Sequence, residues 1–180
     1  MTQYYYLVAS LPMLMADGPP PLDSPALLRL CREHVAAADF ALLSRIALAE
    51  LDVRPNDPGV WRDYSAWETA LRDELALQRA QRLGLDAAPF LRPAPFHAGL
   101  PLVVKEALAS GSPLAVETAL DRRRWSCLEE LESGTQFGLD RLVVYRLKLL
   151  LLERRNRWRP EPGHKAFTEE YARILINTEY

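Results

Sequence analysis

The sequence of 180 residues has few of the residues that favour β-strands. Val, Ile and Thr together contribute only 18 residues, whereas Leu contributes 32 and Ala 23. Strands are enriched in β-branched residues, and helices are enriched in Leu, Ala, Arg and Glu. The composition therefore argues against a mostly β protein and against an α/β sheet. It favours an all-α fold, and the helix signals along the chain, described below, predict an irregular bundle of about seven helices.

Glycine and cysteine are also scarce, and each shortage excludes a kind of site. The 8 glycines do not cluster, so there is no glycine-rich phosphate-binding loop. The two cysteines, Cys31 and Cys127, cannot form a disulfide framework and suit a reducing compartment. Cys31 and His34 share a helix face, but two ligands do not hold a zinc ion. We therefore expect a protein that is not an enzyme and uses no cofactor or metal.

Long apolar runs and a strong excess of one charge are absent as well. The most apolar run, 142–152, has 11 residues and includes Arg146 and Lys148, which is too short and too charged to span a bilayer. No basic segment precedes the apolar stretch near the N-terminus, so we expect no signal peptide and a cytoplasmic location. A net charge of −2 predicts no nucleic-acid partner.

Proline and capping signals organise the first part of the chain. The tyrosine-rich run 4–11 is strand-like, and it is interpreted as an edge strand or as a cover for a helix end. A stacking platform for bases is a third interpretation, although no Lys or Arg occurs in the first 28 residues. A first helix is expected to begin with Ser24 as its cap and Pro25 in its first turn. A second is expected from Asp39 and to stop before Pro55.

Similar signals predict the later helices. Ser65 and Glu68 have the spacing of a capping box, which predicts a helix that ends near Gly84. Ser112 is expected to begin another helix. That helix is expected to close near Gly134, and the remaining helices are expected at 101–111, 139–158 and 166–177. The centre of the 139–158 helix is apolar on nearly all sides and is expected in the core.

The segment 85–101 contains four prolines and little periodicity, so it is the best candidate for an internal boundary. We expect one helical domain over 1–180. The alternative is a division into two lobes, 1–84 and 102–180, joined by this segment.

Charged residues suggest two surfaces. Residues 141–159 hold seven basic side chains against one acid, Glu153. This pattern is typical of a solvated basic helix end, a docking surface for an acidic partner or, less readily, a nucleic-acid contact. Glu117, Asp121 and Arg124 lie on one helix face. They are interpreted as a surface charge ladder, as a partner contact or as a carboxylate pair for acid–base work.

Two segments carry a resemblance to a known family. They are Tyr-Tyr-Tyr-Leu-Val-Ala-Ser-Leu-Pro at 4–12, and Trp-Ser-Cys-Leu-Glu-Glu-Leu from Trp125 followed by Phe-Gly-Leu-Asp-Arg-Leu-Val-Val-Tyr-Arg-Leu-Lys-Leu-Leu-Leu-Leu-Glu-Arg from Phe137. They resemble the bacterial family called domain of unknown function 2764, which is encoded in V/A-type ATP synthase operons. The resemblance covers residues 4–12 and about 114–175.

A looser likeness links the chain to the funnel-shaped socket protein of these ATPases, an all-helical component between the rotor ring and the central stalk. The pair at 117 and 121 and the helix from Tyr145 to Glu153 are similar to its helical pattern, although this chain is much shorter.

The resemblance implies a non-catalytic subunit or accessory factor of a V/A-type ATP synthase. Such a protein would lie near the central stalk, peripheral to the inner membrane, and would couple proton transport to ATP turnover by contact with other subunits. The alternative is a general helical adaptor or regulator that binds an acidic protein through 141–159. The candidate partner-interface residues are Glu117, Asp121, Arg124, Trp125, Asp140, Arg141, Tyr145, Arg146, Arg154 and Arg155.

Overall fold

Seven α-helices make up most of the described chain. The computed structural model describes residues 4–93, 95 and 97–158. The helices are α1 (Tyr5–Ser10), α2 (Ser24–His34), α3 (Ala37–Arg45), α4 (Gly59–Leu83), α5 (Leu100–Leu108), α6 (Pro113–Glu132) and α7 (Leu139–Asn156), with a 3-10 turn at Ala88–Phe90. No β-sheet occurs among these residues, so the all-α fold class is confirmed. The helix expected at 166–177 lies outside the described residues.

The tyrosine-rich run forms helix α1 over Tyr5–Ser10, so the prediction of a strand-like run at 4–11 is wrong. Leu7 of α1 is buried in the core, and Tyr4 just before it is also buried. A lone strand would leave its backbone N–H and C=O groups without ladder partners, whereas a helix pairs them internally. The Tyr4 backbone N–H donates to the carbonyl of Phe137 at 2.6 Å, and its hydroxyl donates to Asp39 at 2.5 Å. Packing therefore overrides the strand propensity of the tyrosines.

The N-cap of α2 lies one residue earlier than predicted, at Asp23 and not at Ser24. The side chain of Asp23 accepts from the Ala26 backbone N–H at 2.7 Å and is the N-cap, while Pro25 lies in the first turn as predicted. Ser24 instead bonds to α7, because its backbone N–H and hydroxyl donate to the two carboxylate oxygens of Glu153, at 2.5 and 2.6 Å. A tertiary partner thus replaces the local capping role predicted for Ser24.

The second predicted helix is shorter than expected, since α3 starts at Ala37 and ends at Arg45, well before Pro55. The guanidinium of Arg45 binds the backbone carbonyl of Asp52 and the carboxylate of Asp57. These contacts fold the segment that follows α3 back onto the end of the helix.

Helix α4 begins before Ser65, so the prediction that Ser65 and Glu68 form a capping box at its start is wrong. The helix starts at Gly59, and both Ser65 and Glu68 lie buried inside it. The predicted end is confirmed, because Gly84 has φ +65°, the left-handed conformation that glycine adopts readily. Ser112 is confirmed as the N-cap of α6, since its hydroxyl accepts from the Ala115 backbone N–H at 3.1 Å.

Helix α7 is the centre of the bundle. It packs against α2, α3, α4 and α6, and residues 142–149 are buried without interruption. The prediction that its apolar centre lies in the core is confirmed. Helix α5 packs against both α4 and α6. One cluster of buried side chains includes residues from both sides of the segment 85–101, such as Leu71 and Leu147. Among the described residues, no helix combines the length and apolar character needed to cross a membrane.

Replacing Leu147 with Ala is expected to lower the free energy of unfolding by about 2–5 kcal/mol, because Leu147 is fully buried and its loss leaves a cavity. Urea denaturation measures the change. The matched control is Leu83→Ala, since Leu83 is a helical leucine that is 71% exposed. The control is expected to stay within about 0.5 kcal/mol of the unmodified chain. Equal losses for the two variants would contradict the central position of α7.

Candidate functional site

A cluster of buried charges joins α4, α6 and α7. Arg124 lies at its centre and is 6% exposed. Its Nε and Nη2 donate to the two carboxylate oxygens of Glu68 at 2.9 and 3.1 Å, and its Nη1 donates to Asp121 at 3.1 Å. Glu68 also accepts from Nε of Arg72 at 2.9 Å, and the guanidinium of Arg154 binds Asp121. We call these residues the buried ion cluster.

The charges of the buried ion cluster compensate one another. Burial lowers the pKa of Arg124, but the charge and hydrogen bonds of Glu68, together with the charge of Glu117, oppose it, and the net pKa is raised. Burial lowers the pKa of Arg154, and Glu117, which is 4.0 Å away, opposes that shift. Buried charges are tolerated when such pairing offsets their desolvation. Asp121 is 2% exposed, and its carboxylate binds Arg124 and Arg154 inside the protein.

Replacing Arg124 with Met is expected to lower the free energy of unfolding by about 3–5 kcal/mol, because Glu68 and Asp121 each lose a partner while buried. Thermal or urea unfolding measures this. The neighbouring Arg122 is exposed and provides the control, with Arg122→Met expected to change stability by less than about 0.5 kcal/mol. A loss for Arg124→Met as small as that of the control would show that the cluster is not needed for folding.

A cleft of about 380 Å³ lies between residues 4–17, which we call the N-terminal segment, and the helices α6 and α7. Three predicted interface residues line it, namely Trp125, Arg141 and Tyr145. Side chains from 8–14 form its N-terminal wall, and α6 and α7 also contribute Glu129, Glu132 and Lys148. We call this the N-terminal cleft.

The polar side chains of the N-terminal cleft are held by one another. The carboxylate of Glu132 binds two cations, since Oε2 accepts from the Lys148 ammonium and Oε1 lies 2.6 Å from Nη1 of Arg141. The Lys148 ammonium also lies 5.0 Å from the centre of the Trp125 ring, a cation–π contact. The indole N–H of Trp125 donates to Glu129 at 2.8 Å. The arrangement places fixed donors and acceptors beside an aromatic surface.

Two contacts attach the N-terminal segment to this region. The hydroxyl of Tyr145 donates to the carbonyl of Pro12 at 2.9 Å. Burial raises the pKa of Tyr145 to about 12, so the hydroxyl remains a neutral donor at physiological pH. The rings of Tyr5 and Phe137 lie 4.8 Å apart, next to the backbone bond from Tyr4 to Phe137. Segments at opposite ends of the described chain therefore meet at the N-terminal cleft.

The other predicted interface residues lie outside both groups. Asp140 is half-buried, and burial, with the nearby charge of Asp63, raises its pKa. Arg155 binds the carbonyl of Ala16 and lies 3.1 Å from the carboxylate of Asp17. Arg146 is 6% exposed, and its Nε and Nη1 have no hydrogen-bond partner in the part of the chain that the structure describes. Burial lowers the pKa of Arg146.

The pair Cys31 and His34 does not converge. Cys31 is buried, and burial raises the pKa of its thiol to about 11, whereas His34 is exposed beside the ring of Tyr6. Within the described ranges, no three His, Cys, Asp or Glu side chains form a group that could hold a metal ion.

Sequence reasoning misses Glu68, Glu129 and Glu132 as site residues. The capping-box prediction gives Glu68 a local role, although Glu68 follows Trp67 within an amphipathic stretch. Glu129 and Glu132 come four and seven positions after Trp125, which places all three on one helix face. That spacing is the available signal for the acidic residues of the cleft.

Replacing Arg146 with Met is expected to raise the free energy of unfolding by about 1 kcal/mol or more, because a buried guanidinium with unpaired donors is costly. Lys148→Met is the matched control. Lys148 is on the same helix and equally buried at 6%, but it is paired with Glu132, so its loss is expected to destabilise the chain. Denaturant unfolding measures both variants. Destabilisation by Arg146→Met would show that this guanidinium has a stabilising partner.

Comparison of the chain with protein-family models, curated proteins and solved structures finds no match.

Proposed function

We propose that the chain is a non-catalytic subunit or accessory factor of a bacterial V/A-type ATP synthase, similar to the funnel-shaped socket protein and located near the central stalk. There it helps couple proton transport to ATP turnover, on the cytoplasmic side and peripheral to the inner membrane through the complex. The observation that carries the proposal is the resemblance of residues 4–12 and about 114–175 to the family encoded in such operons.

The two segments that carry the resemblance contact each other in the fold. The hydroxyl of Tyr145 bonds to Pro12, and the backbone N–H of Tyr4 bonds to Phe137. Each bond joins one resembling segment to the other across more than a hundred residues of sequence. The described parts of the resemblance therefore form one continuous region of the fold.

A subunit that transmits torque needs rigid packing, and the bundle has features that suit this role. Helix α7 is buried along 142–149, and the buried ion cluster connects it to α4 and α6. Closely packed interiors deform little and transmit strain.

The alternative of a general adaptor that binds an acidic protein through 141–159 has weaker support. Arg141, Lys148 and Arg154 each pair with a carboxylate of α6. Arg155 is paired with Asp17. Reversing the charge of Arg154 or Arg155 would therefore disturb the fold as well as any partner contact.

The exposed tyrosines of α1 provide a sharper contact test than these arginines. Tyr6 is 78% exposed, and tyrosine is enriched among residues that dominate protein interfaces. We expect affinity-tagged chain purified from native membranes to recover the catalytic and stalk subunits of the ATP synthase in a fixed ratio. We expect Tyr6→Ala to reduce that recovery while changing the free energy of unfolding by less than about 0.5 kcal/mol. Mass spectrometry and thermal unfolding measure the two effects.

The matched control is Phe90→Ala, because Phe90 is 68% exposed but lies outside the resembling segments. Recovery of ATP synthase subunits should be unaffected by this change. Purification of the unmodified chain without any ATP synthase subunit would overturn the proposed function. Unchanged recovery for Tyr6→Ala would exclude Tyr6 as a contact and move the interface elsewhere.

A further inference from the structure

We infer that a cavity of about 310 Å³ between α4, α6 and residues 97–100 binds a primary ammonium group on an apolar stem, with the carboxylate of Asp63 and the imidazole of His97 as its hydrogen-bond acceptors. We call this the His97 cavity. The inference does not depend on the proposed function, and it is tested on the purified full chain.

The imidazole of His97 lines the cavity and has an unused nitrogen. Its Nε2 atom is buried and has no hydrogen-bond partner in the part of the chain that the structure describes. A neutral imidazole carries its proton on one nitrogen and accepts a hydrogen bond at the other. With the proton on Nδ1, the buried Nε2 is an acceptor without a donor, and such a group costs free energy. A ligand that donates an N–H to Nε2 removes this cost.

The charged side chains of the His97 cavity leave one carboxylate uncompensated. Nη1 of Arg123 lies 3.0 Å from Glu130, and the same guanidinium lies 5.6 Å from the centre of the Trp67 ring. Arg123 and Glu130 therefore neutralise each other. The remaining charge of the lining is the exposed Asp63, and no described residue forms a hydrogen bond or an ion pair with its carboxylate. The cavity thus has an excess of negative charge, which favours a cation.

A second carboxylate near Asp63 strengthens this negative potential. Asp140 lies in the first turn of α7, and its Oδ1 atom is buried with no hydrogen-bond partner among the described residues. Burial and the charge of Asp63 both raise the pKa of Asp140, so the two carboxylates are close enough to repel each other. A cation held by Asp63 offsets this repulsion.

The lining favours an organic ammonium group over a metal ion. Within the described ranges, no three His, Cys, Asp or Glu side chains form a group that could hold a metal ion. Leu100 and Leu131 provide apolar walls, and burial raises the pKa of the nearby Cys127 thiol to about 12, so the thiol is neutral. An ammonium group has three N–H donors and no acceptor, which suits a carboxylate and a free imidazole nitrogen.

The size of the His97 cavity suits a short alkyl stem. Its volume of about 310 Å³ lies at the small end of ligand pockets, which range from about 300 to 1,000 Å³. A lysine side chain of another protein and a free alkylamine both provide an ammonium group on such a stem.

His97 also borders a smaller cavity, of about 220 Å³, on the side of α4 and the proline-rich segment. The acidic residues there already have partners. Asp73 accepts from the backbone N–H of Arg92 at 2.9 Å, and Glu74 accepts from the side-chain amide of Gln78 at 2.7 Å. The unpaired acceptors therefore favour the larger cavity as the binding site.

The test is an NMR titration of the full chain with three probes. They are n-butylammonium, N-acetyl-lysine N-methylamide, and the same lysine compound acetylated on its side-chain nitrogen. The indole N–H resonance of Trp67 reports occupancy of the cavity, and the Nε2 chemical shift of His97, assigned from the spectrum of His97→Phe, reports the hydrogen bond.

We expect both resonances to shift saturably with at least one ammonium probe, and the acetylated probe to bind at least about tenfold more weakly, because it lacks the charge. Binding by the lysine compound alone assigns the source to a protein side chain. Comparable binding by n-butylammonium assigns it to a free amine.

Variants then test the assigned acceptors. Asp63→Asn is expected to weaken binding about tenfold or more. The matched control is Glu106→Gln, which removes an exposed carboxylate on α5 outside the cavity and should leave binding unchanged. Thermal unfolding shows that each variant is folded at the temperature of the titration.

The inference is overturned if neither ammonium probe gives a saturable shift, if the acetylated probe binds as well as the charged one, if Nε2 of His97 does not respond, or if folded Asp63→Asn binds normally. Because the titration contains no other protein of the ATP synthase, none of these outcomes bears on the proposed function.

Discussion

Helix α7 is buried on most of its sides although it carries several basic residues, and the packing of the bundle around it depends on the carboxylates that pair with Lys148 and Arg154. Lys148 bonds to Glu132, and Arg154 bonds to Asp121. Both carboxylates belong to α6, so these two pairs fix how α6 lies against α7. Arg124 then links α6 to Glu68 of α4. The bundle is thus organised by buried ion pairs as well as by apolar packing.

This use of charge changes how the molecular surface is interpreted. A sequence with seven basic residues near its end predicts a basic face, yet Arg146 and Lys148 are buried and Arg155 bonds back to the N-terminal segment. Within the described residues, two surface features that remain for function are the exposed tyrosines of α1 and the N-terminal cleft. Both involve the N-terminal segment, which also contains one of the two resembling stretches.

Local signals predicted what depends on near neighbours in sequence. Ser112 caps α6, Gly84 ends α4, and the apolar centre of α7 lies in the core, because each feature follows from spacing within a few turns of helix. Predictions failed where a distant partner overrode a local preference. Ser24 was expected to cap α2 but bonds to Glu153 instead. Glu68 was expected to cap a helix but pairs with Arg124.

The sequence by itself therefore determined the all-α class and most helix positions, since composition and periodicity act over short distances. It also indicated that Trp125, Arg141 and Tyr145 are notable residues, but not that they face one cleft. Only the tertiary structure decided that the tyrosine-rich segment is helical and contributes to one wall of this cleft. The reason is that its backbone and side-chain partners, among them Phe137, lie more than a hundred residues away along the chain.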